Sequence, residues 1–153
     1  GSGKSAIGVL DAKQTGKRVL FLAHTKELVE QGVSNFEKLW QGVSVGRFYD
    51  EYHDTDSFVV CASVQSIIRN LEQFDPNDFD YLIIDECHHA SAKSYRKILT
   101  YFHPKFTLGL TATPERADGE DLLEIFQNFA HKLDIKEAVE TGLNKKIAEF
   151  LGE

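Results

Sequence analysis

The chain has 153 residues, 24 acidic and 17 basic, for a net charge of −7. That length suits one domain of ordinary size, and that charge excludes a globally basic nucleic-acid binder, so any such contact must use a local basic strip. Apolar residues at 42% and charged residues at 27% exclude disorder, and no apolar run reaches the 18 residues of a membrane span.

The chain opens Gly1-Ser2-Gly3-Lys4-Ser5. Gly3, Lys4 and Ser5 fill the last three places of the phosphate-loop pattern G-x-x-x-x-G-K-[ST], whose first glycine would precede Gly1. Glycines let backbone N–H groups approach phosphate oxygens, the lysine ammonium neutralises them, and the serine hydroxyl ligates Mg²⁺. A following helix would point its N-terminus at the anion. A plain Gly-Ser leader is the competing reading of these five residues.

Val19 to Ala23 is a short continuous apolar run, the pattern of a strand covered on both faces. Leu28, Val29, Val33, Phe36, Leu39 and Trp40 then share one face at helical spacing. Val43 to Phe48 reads as a weaker strand, and the polar stretch Asp50 to Asp56 as a surface loop. Phe58 to Cys61 is a second buried strand, followed by a helix with Val64, Ile67, Ile68 and Leu71 on its apolar face. Asp75-Pro76-Asn77-Asp78 marks a turn.

A third buried run, Tyr81 to Ile84, ends on Asp85-Glu86. Acids at the carboxyl end of a strand lie where open α/β sheets place ligand chemistry. The first acid would hold Mg²⁺ and the second would take a proton from an attacking water; an acidic turn is the plainer alternative. Cys87-His88-His89 does not make a zinc site, because three adjacent residues cannot all reach one tetrahedral centre. Tyr95, Ile98, Leu99 and Phe102 predict a helix, with Ser91 or Ser94 as its cap. Thr107 to Leu110 is a fourth buried strand, ending on Thr111-Ala112-Thr113-Pro114. Leu122, Leu123, Ile125, Phe126 and Phe129 suggest another helix. From Asp134 the chain reads as a capped helix stopped at Gly142, then a charged segment to Glu153. Strands alternating with helices define an α/β class with a mostly parallel sheet.

Cys61 and Cys87 do not form a disulfide framework, which favours a reducing, cytoplasmic setting. The chain contains no Met and begins at Gly1, so it reads as a piece of a longer protein.

Five segments occur in order: Gly1-Ser2-Gly3-Lys4-Ser5, Ala23-His24-Thr25-Lys26-Glu27-Leu28, Ser63-Val64-Gln65-Ser66, Asp85-Glu86-Cys87-His88 and Thr111-Ala112-Thr113-Pro114. Together they resemble the first motor domain of a superfamily-two DEAD/DEAH-box helicase. Leu108 to Gly119 is similar to the branch that holds type III restriction enzyme ATPase subunits and DNA repair helicases. The resemblance covers almost the whole chain.

It implies a RecA-like P-loop NTPase fold over residues 1–133, truncated at its N-terminus, with 134–153 a helix and linker toward an absent second motor domain. It implies ATP and Mg²⁺ as cofactors, with Gly1, Ser2, Gly3, Lys4 and Ser5 around the nucleotide. Lys4 would hold phosphates, Ser5 and Asp85 would support the metal, and Glu86 would activate water. His88, Thr111 and Thr113 would couple hydrolysis to movement. His24, Thr25, Lys26 and Gln65 would line the nucleic-acid path. For Lys26 a solvated helix face is an equal alternative.

The implied activity is ATP hydrolysis coupled to movement on DNA. An RNA helicase, or an ATP switch that senses nucleic acid without translocating, uses the same motifs. The implied partners are nucleic acid, a second RecA-like domain in cis that supplies an arginine finger, and a nuclease or methylase subunit. The chain's own arginines, Arg18, Arg47, Arg69, Arg96 and Arg116, do not match a finger. Missing the first strand and the second domain, these residues alone are expected to hydrolyse ATP weakly.

Overall fold

The computed structural model describes residues 2–85 and 92–110. In chain order the elements are α1 (Ser2–Thr15), β1 (Val19–Ala23), α2 (Lys26–Leu39), β2 (Val45–Tyr49), β3 (Tyr52–His53), β4 (Val59–Ser63), α3 (Val64–Arg69), β5 (Tyr81–Asp85), α4 (Ala92–Tyr101) and β6 (Phe106–Leu110). A single 3₁₀ turn, Leu71–Gln73, follows α3. The six strands form one sheet in the order β3-β2-β4-β1-β5-β6. Every pairing is parallel except β2 with β3.

The continuous apolar runs follow from burial on both faces. Val19, Phe21 and Ala23 join Val59, Cys61, Tyr81, Ile83 and Leu108 on one side, under Val9 and Ala12 of α1 and Val29, Val33 and Phe36 of α2. Leu20 and Leu22 join Val60, Ala62, Leu82 and Ile84 on the other, under Val64 and Ile67 of α3 and Ile98, Leu99 and Phe102 of α4. Alternate side chains of one strand thus meet different helix layers, which removes any polar phase from the sequence.

Helix α2 lies directly on β1. A Cβ at Gly32 would stand 2.5 Å from Cε1 of Phe21, so only glycine permits this approach. Phe21 and Phe36 then meet edge to face at 5.9 Å. Two capping side chains set where helices begin. Thr25 Oγ1 accepts from Leu28 N at 3.3 Å before α2, and Ser63 Oγ accepts from Ser66 N at 3.1 Å before α3. Cys61 is fully buried in β4, between Phe21 of β1 and Arg47 of β2, and burial raises its thiol pKa.

The opposite edge of the sheet is locked by Arg18, just before β1. Its Nη2 donates to Thr55 O at 2.9 Å and Ser57 O at 2.6 Å, and its guanidinium lies 4.5 Å from the Phe79 ring centroid. Two hydrogen bonds and one cation–π contact thereby join the starts of β1, β4 and β5.

Two expectations change. The polar stretch Asp50 to Asp56 is not wholly loop, because Tyr52–His53 forms β3 against Phe48 and Tyr49. The hairpin depends on Asp50, whose φ of 49° turns the chain back. Asp54 closes the far side by accepting from Asp56 N, Ser57 N and Ser57 Oγ at 2.9, 3.0 and 2.7 Å. Ser94 is not a cap, since it lies inside α4; Ser91, the alternative, is outside the described residues. The turn at 75–78 is present, with Asp78 N donating to Asp75 O at 3.0 Å. The expected helices at 122–129 and from Asp134 lie outside the described residues.

Candidate functional site

The sheet register brings four strand ends into one row. Ala23 of β1 is level with Ser63 of β4, Leu22 pairs with Ile84 of β5, and Asp85 pairs with Leu110 of β6. Ser63, Ala23, Asp85 and Leu110 therefore stand side by side across four adjacent parallel strands. At about 4.8 Å per strand the row is roughly 14 Å long. Val64 and Gln65 follow the row from β4, and His24 to Lys26 follow it from β1; in sequence, Glu86 comes directly after Asp85 and Thr111 directly after Leu110.

Helix α1 reaches the same edge. Its last turn leads through Gly16, at φ 68°, into the start of β1, so α1 runs opposite to the strands. The Tyr81 hydroxyl, at the start of β5, bonds Asp11, which fixes the C-terminal half of α1 at the strand starts. Burial first, and this bond second, raise the Tyr81 pKa. Fourteen residues at about 1.5 Å each carry the helix roughly 21 Å back, to the carboxyl ends of the strands. The backbone is helical from Ser2, so Gly3, Lys4 and Ser5 lie in the first turn. The N–H groups of a first turn have no intrahelical partners and carry the positive end of the helix dipole.

Asp85 is 4% exposed at the row's centre. Thr25, Lys26 and Gln65 are exposed, and His24 is half-buried. Thr25 and Ser63 each cap a helix, so these exposed residues sit on first turns held by a local hydrogen bond rather than on free loops. Gly1, Glu86, His88, Thr111 and Thr113 are outside the described residues, as are the side chains of Ser2, Lys4 and Ser5. Among the described residues no group of three or more His, Cys, Asp or Glu could hold a metal ion, and no helix is long and apolar enough to cross a membrane.

Away from the row, Glu30 of α2 clamps β2, a cluster the sequence does not flag because its members are 17 and 19 residues apart. Arg47 donates to it from Nε at 2.7 Å and Nη2 at 3.0 Å, and Tyr49 from its hydroxyl at 2.6 Å. The Arg47 and Tyr49 bonds hold the Glu30 carboxyl below its ordinary 4.5, and Glu30 pushes Tyr49 up to about 12. A depressed carboxylate contributes stability that is present above its unfolded value and lost as pH falls through the folded one. Arg47 and Glu30 side chains are 37% and 40% exposed, so the contribution is small. Glu30→Gln should be slightly less stable than the parent at neutral pH, and the two should converge as pH falls well below 4.5. Urea titrations at several pH values check this; a pH-independent gap would assign the effect to packing.

A doubly covered parallel sheet, with a helix N-terminus and a buried acid on its carboxyl edge, is the fold of the RecA-like domain of superfamily-two helicases. The family model described as "Type III restriction enzyme, res subunit" matches residues 1–116, and the chain belongs to that family. It is 33% identical over 138 residues to the protein IRC3 of Saccharomyces cerevisiae, covering 84% of this chain and 20% of that protein. It is 32% identical over 133 residues to the general transcription and DNA repair factor IIH helicase/translocase subunit XPB of Danio rerio, covering 77% of this chain and 17% of that protein. The crystal structure of the UvsW helicase from bacteriophage T4 superposes with a TM-score of 0.68 at 21% identity, over 80% of this chain and 48% of that one. The chain thus spans about a fifth of the length of these two sequence relatives.

Proposed function

We propose that this domain is the ATP-binding half of a motor that couples ATP hydrolysis to movement on DNA. The observation that carries the reading is the row Ser63, Ala23, Asp85 and Leu110, at the ends of the four strands that four of the five motif segments adjoin in sequence. The fifth segment is the first turn of α1, which reaches that edge from one face.

The residues present fit a nucleotide with Mg²⁺. The first-turn N–H groups suit an anion, and a buried carboxylate suits a cation at the same edge. Lys4 would hold phosphate oxygens, and Ser5 and Asp85 would support the metal. The bound nucleotide supplies the phosphoryl group that is transferred to water. Glu86 follows Asp85 directly, and its carboxylate takes the proton of that water. His88, Thr111 and Thr113 pass the state of this edge to a second motor domain in cis. His24, Thr25, Lys26 and Gln65 face the strand and contact its phosphates, which suits an enzyme that ignores sequence. The relatives named for DNA repair and restriction favour DNA over RNA.

The test is ATP hydrolysis by a polypeptide carrying this domain with a second motor domain, assayed with duplex DNA, single-stranded DNA and RNA of one sequence. DNA should stimulate hydrolysis by tenfold or more over RNA, and the stimulation should weaken as salt rises. Equal stimulation by RNA would replace DNA in this reading, and no stimulation by any of the three would remove the motor.

A further inference from the structure

Between α3 and α4, on the sheet face away from α1, lies an open groove of about 940 Å³. Its floor is Ile68, Leu71 and Tyr101, all partly buried against the core. The floor is fixed, because the Tyr101 hydroxyl donates to Phe74 O and the Tyr101 ring meets Phe102 edge to face at 5.1 Å. One wall is Lys93, Arg96, Lys97 and Thr100, all exposed. These positions follow i, i+3, i+4, i+7 and so form a single stripe along α4.

The wall is unusual for this chain. Acids outnumber bases 24 to 17 overall, yet α4, Ala92–Tyr101, contains three cations and no acid. Among the described residues none of the three has an ion pair or side-chain hydrogen bond, whereas Arg18 and Arg47 are both engaged. A solvated helix face gains nothing from lining up like charges, which repel at this spacing. A cationic stripe beside a fixed apolar floor is complementary to an anion that carries apolar side chains.

We propose that this groove docks an acidic peptide segment of a partner protein, with a leucine or phenylalanine seated on Ile68 and Leu71 and carboxylates against Lys93, Arg96 and Lys97. A nucleic-acid backbone would satisfy the cations and leave the aliphatic floor uncovered. The groove also descends from the row of strand ends toward the start of β6, since α4 ends at Tyr101 just before Phe106. Its lining shares no residue with the proposed nucleic-acid path, and docking there does not require ATP hydrolysis. Desolvated Leu or Phe anchors supply affinity, and the charges supply selectivity and association rate.

The probe is a fluorescein-labelled decapeptide, Glu-Asp-Leu-Phe-Glu-Asp-Leu-Leu-Glu-Glu, titrated with the 153-residue chain and followed by anisotropy. Binding should be saturable and weaken with salt. The combined K93E, R96E and K97E variant should lose at least tenfold in affinity, and so should a peptide with every acid replaced by its amide. Amide chemical shifts of the unaltered chain give a second reading that does not require a variant to fold: the peptide should move residues 68–71 and 93–101 together. Three results would overturn the proposal. These are shifts elsewhere, displacement of the peptide by a single-stranded 20-mer of DNA, or self-association of the chain through this face.

Discussion

Glu86→Gln should lower ATP turnover by about a hundredfold or more, with ATP and Mg²⁺ affinity close to the parent value, in a polypeptide that joins this domain to a second motor domain. The expectation rests on an asymmetry between neighbours. Asp85 ends β5 and is buried in the row of strand ends, where a fixed negative charge suits a cation. Glu86 is the adjacent acid in the chain and the general base of the proposed site. The amide keeps the shape of the carboxylate and removes the base. Steady-state hydrolysis and nucleotide affinity must be measured on the same preparation. Near-normal turnover would take Glu86 out of the chemistry, and a parallel loss of affinity would move it into binding.

The largest effect on stability should come from Phe74→Ala. Phe74 is 3% exposed and stands among three other rings, with centroids at 4.8 Å from Phe48 and 5.9 Å from both Phe79 and Phe102. Its carbonyl accepts from the Tyr101 hydroxyl, so the same residue docks the end of α4. Truncating such a phenylalanine costs about 3–5 kcal/mol, from lost transfer energy and an unfilled cavity. Phe74→Leu fills much of that space and should cost distinctly less. Urea unfolding of both variants decides the point. Equal losses would mean that the aromatic contacts of the ring, and not the volume it fills, carry the energy.

The strands at 19–23, 59–63, 81–85 and 106–110 were legible because parallel strands covered on both faces are continuous apolar runs, with Ser63 and Asp85 only at strand ends and Thr107 buried within β6. Helix α2 was legible because Val29, Val33 and Phe36 share one buried stripe while Glu37 and Lys38 stay outside. Strand β3 was not, since Tyr52 and His53 are exposed and pair only because Asp50 and Asp54 turn the chain. The motif segments were legible as short strings at strand ends. Their common level was not, because register is set by pairing between strands as far as 62 residues apart, as with Leu22 and Ile84. The α3–α4 groove was likewise invisible: its cations look like an ordinary solvated face until Ile68 and Leu71 are placed beside them.

Cys61 turns the middle of the sheet into a clock. Its thiol lies in β4 with β1 on one side and β2 on the other, fully buried and held protonated by burial. Labelling needs both the thiolate and a path for the reagent. Neither exists until β4 parts from its neighbours, which requires opening of the most protected part of the structure. In a Cys87→Ser background the labelling rate of Cys61 would count those openings one molecule at a time. Any ligand that binds the row of strand ends would slow that count in proportion to the closed population it adds.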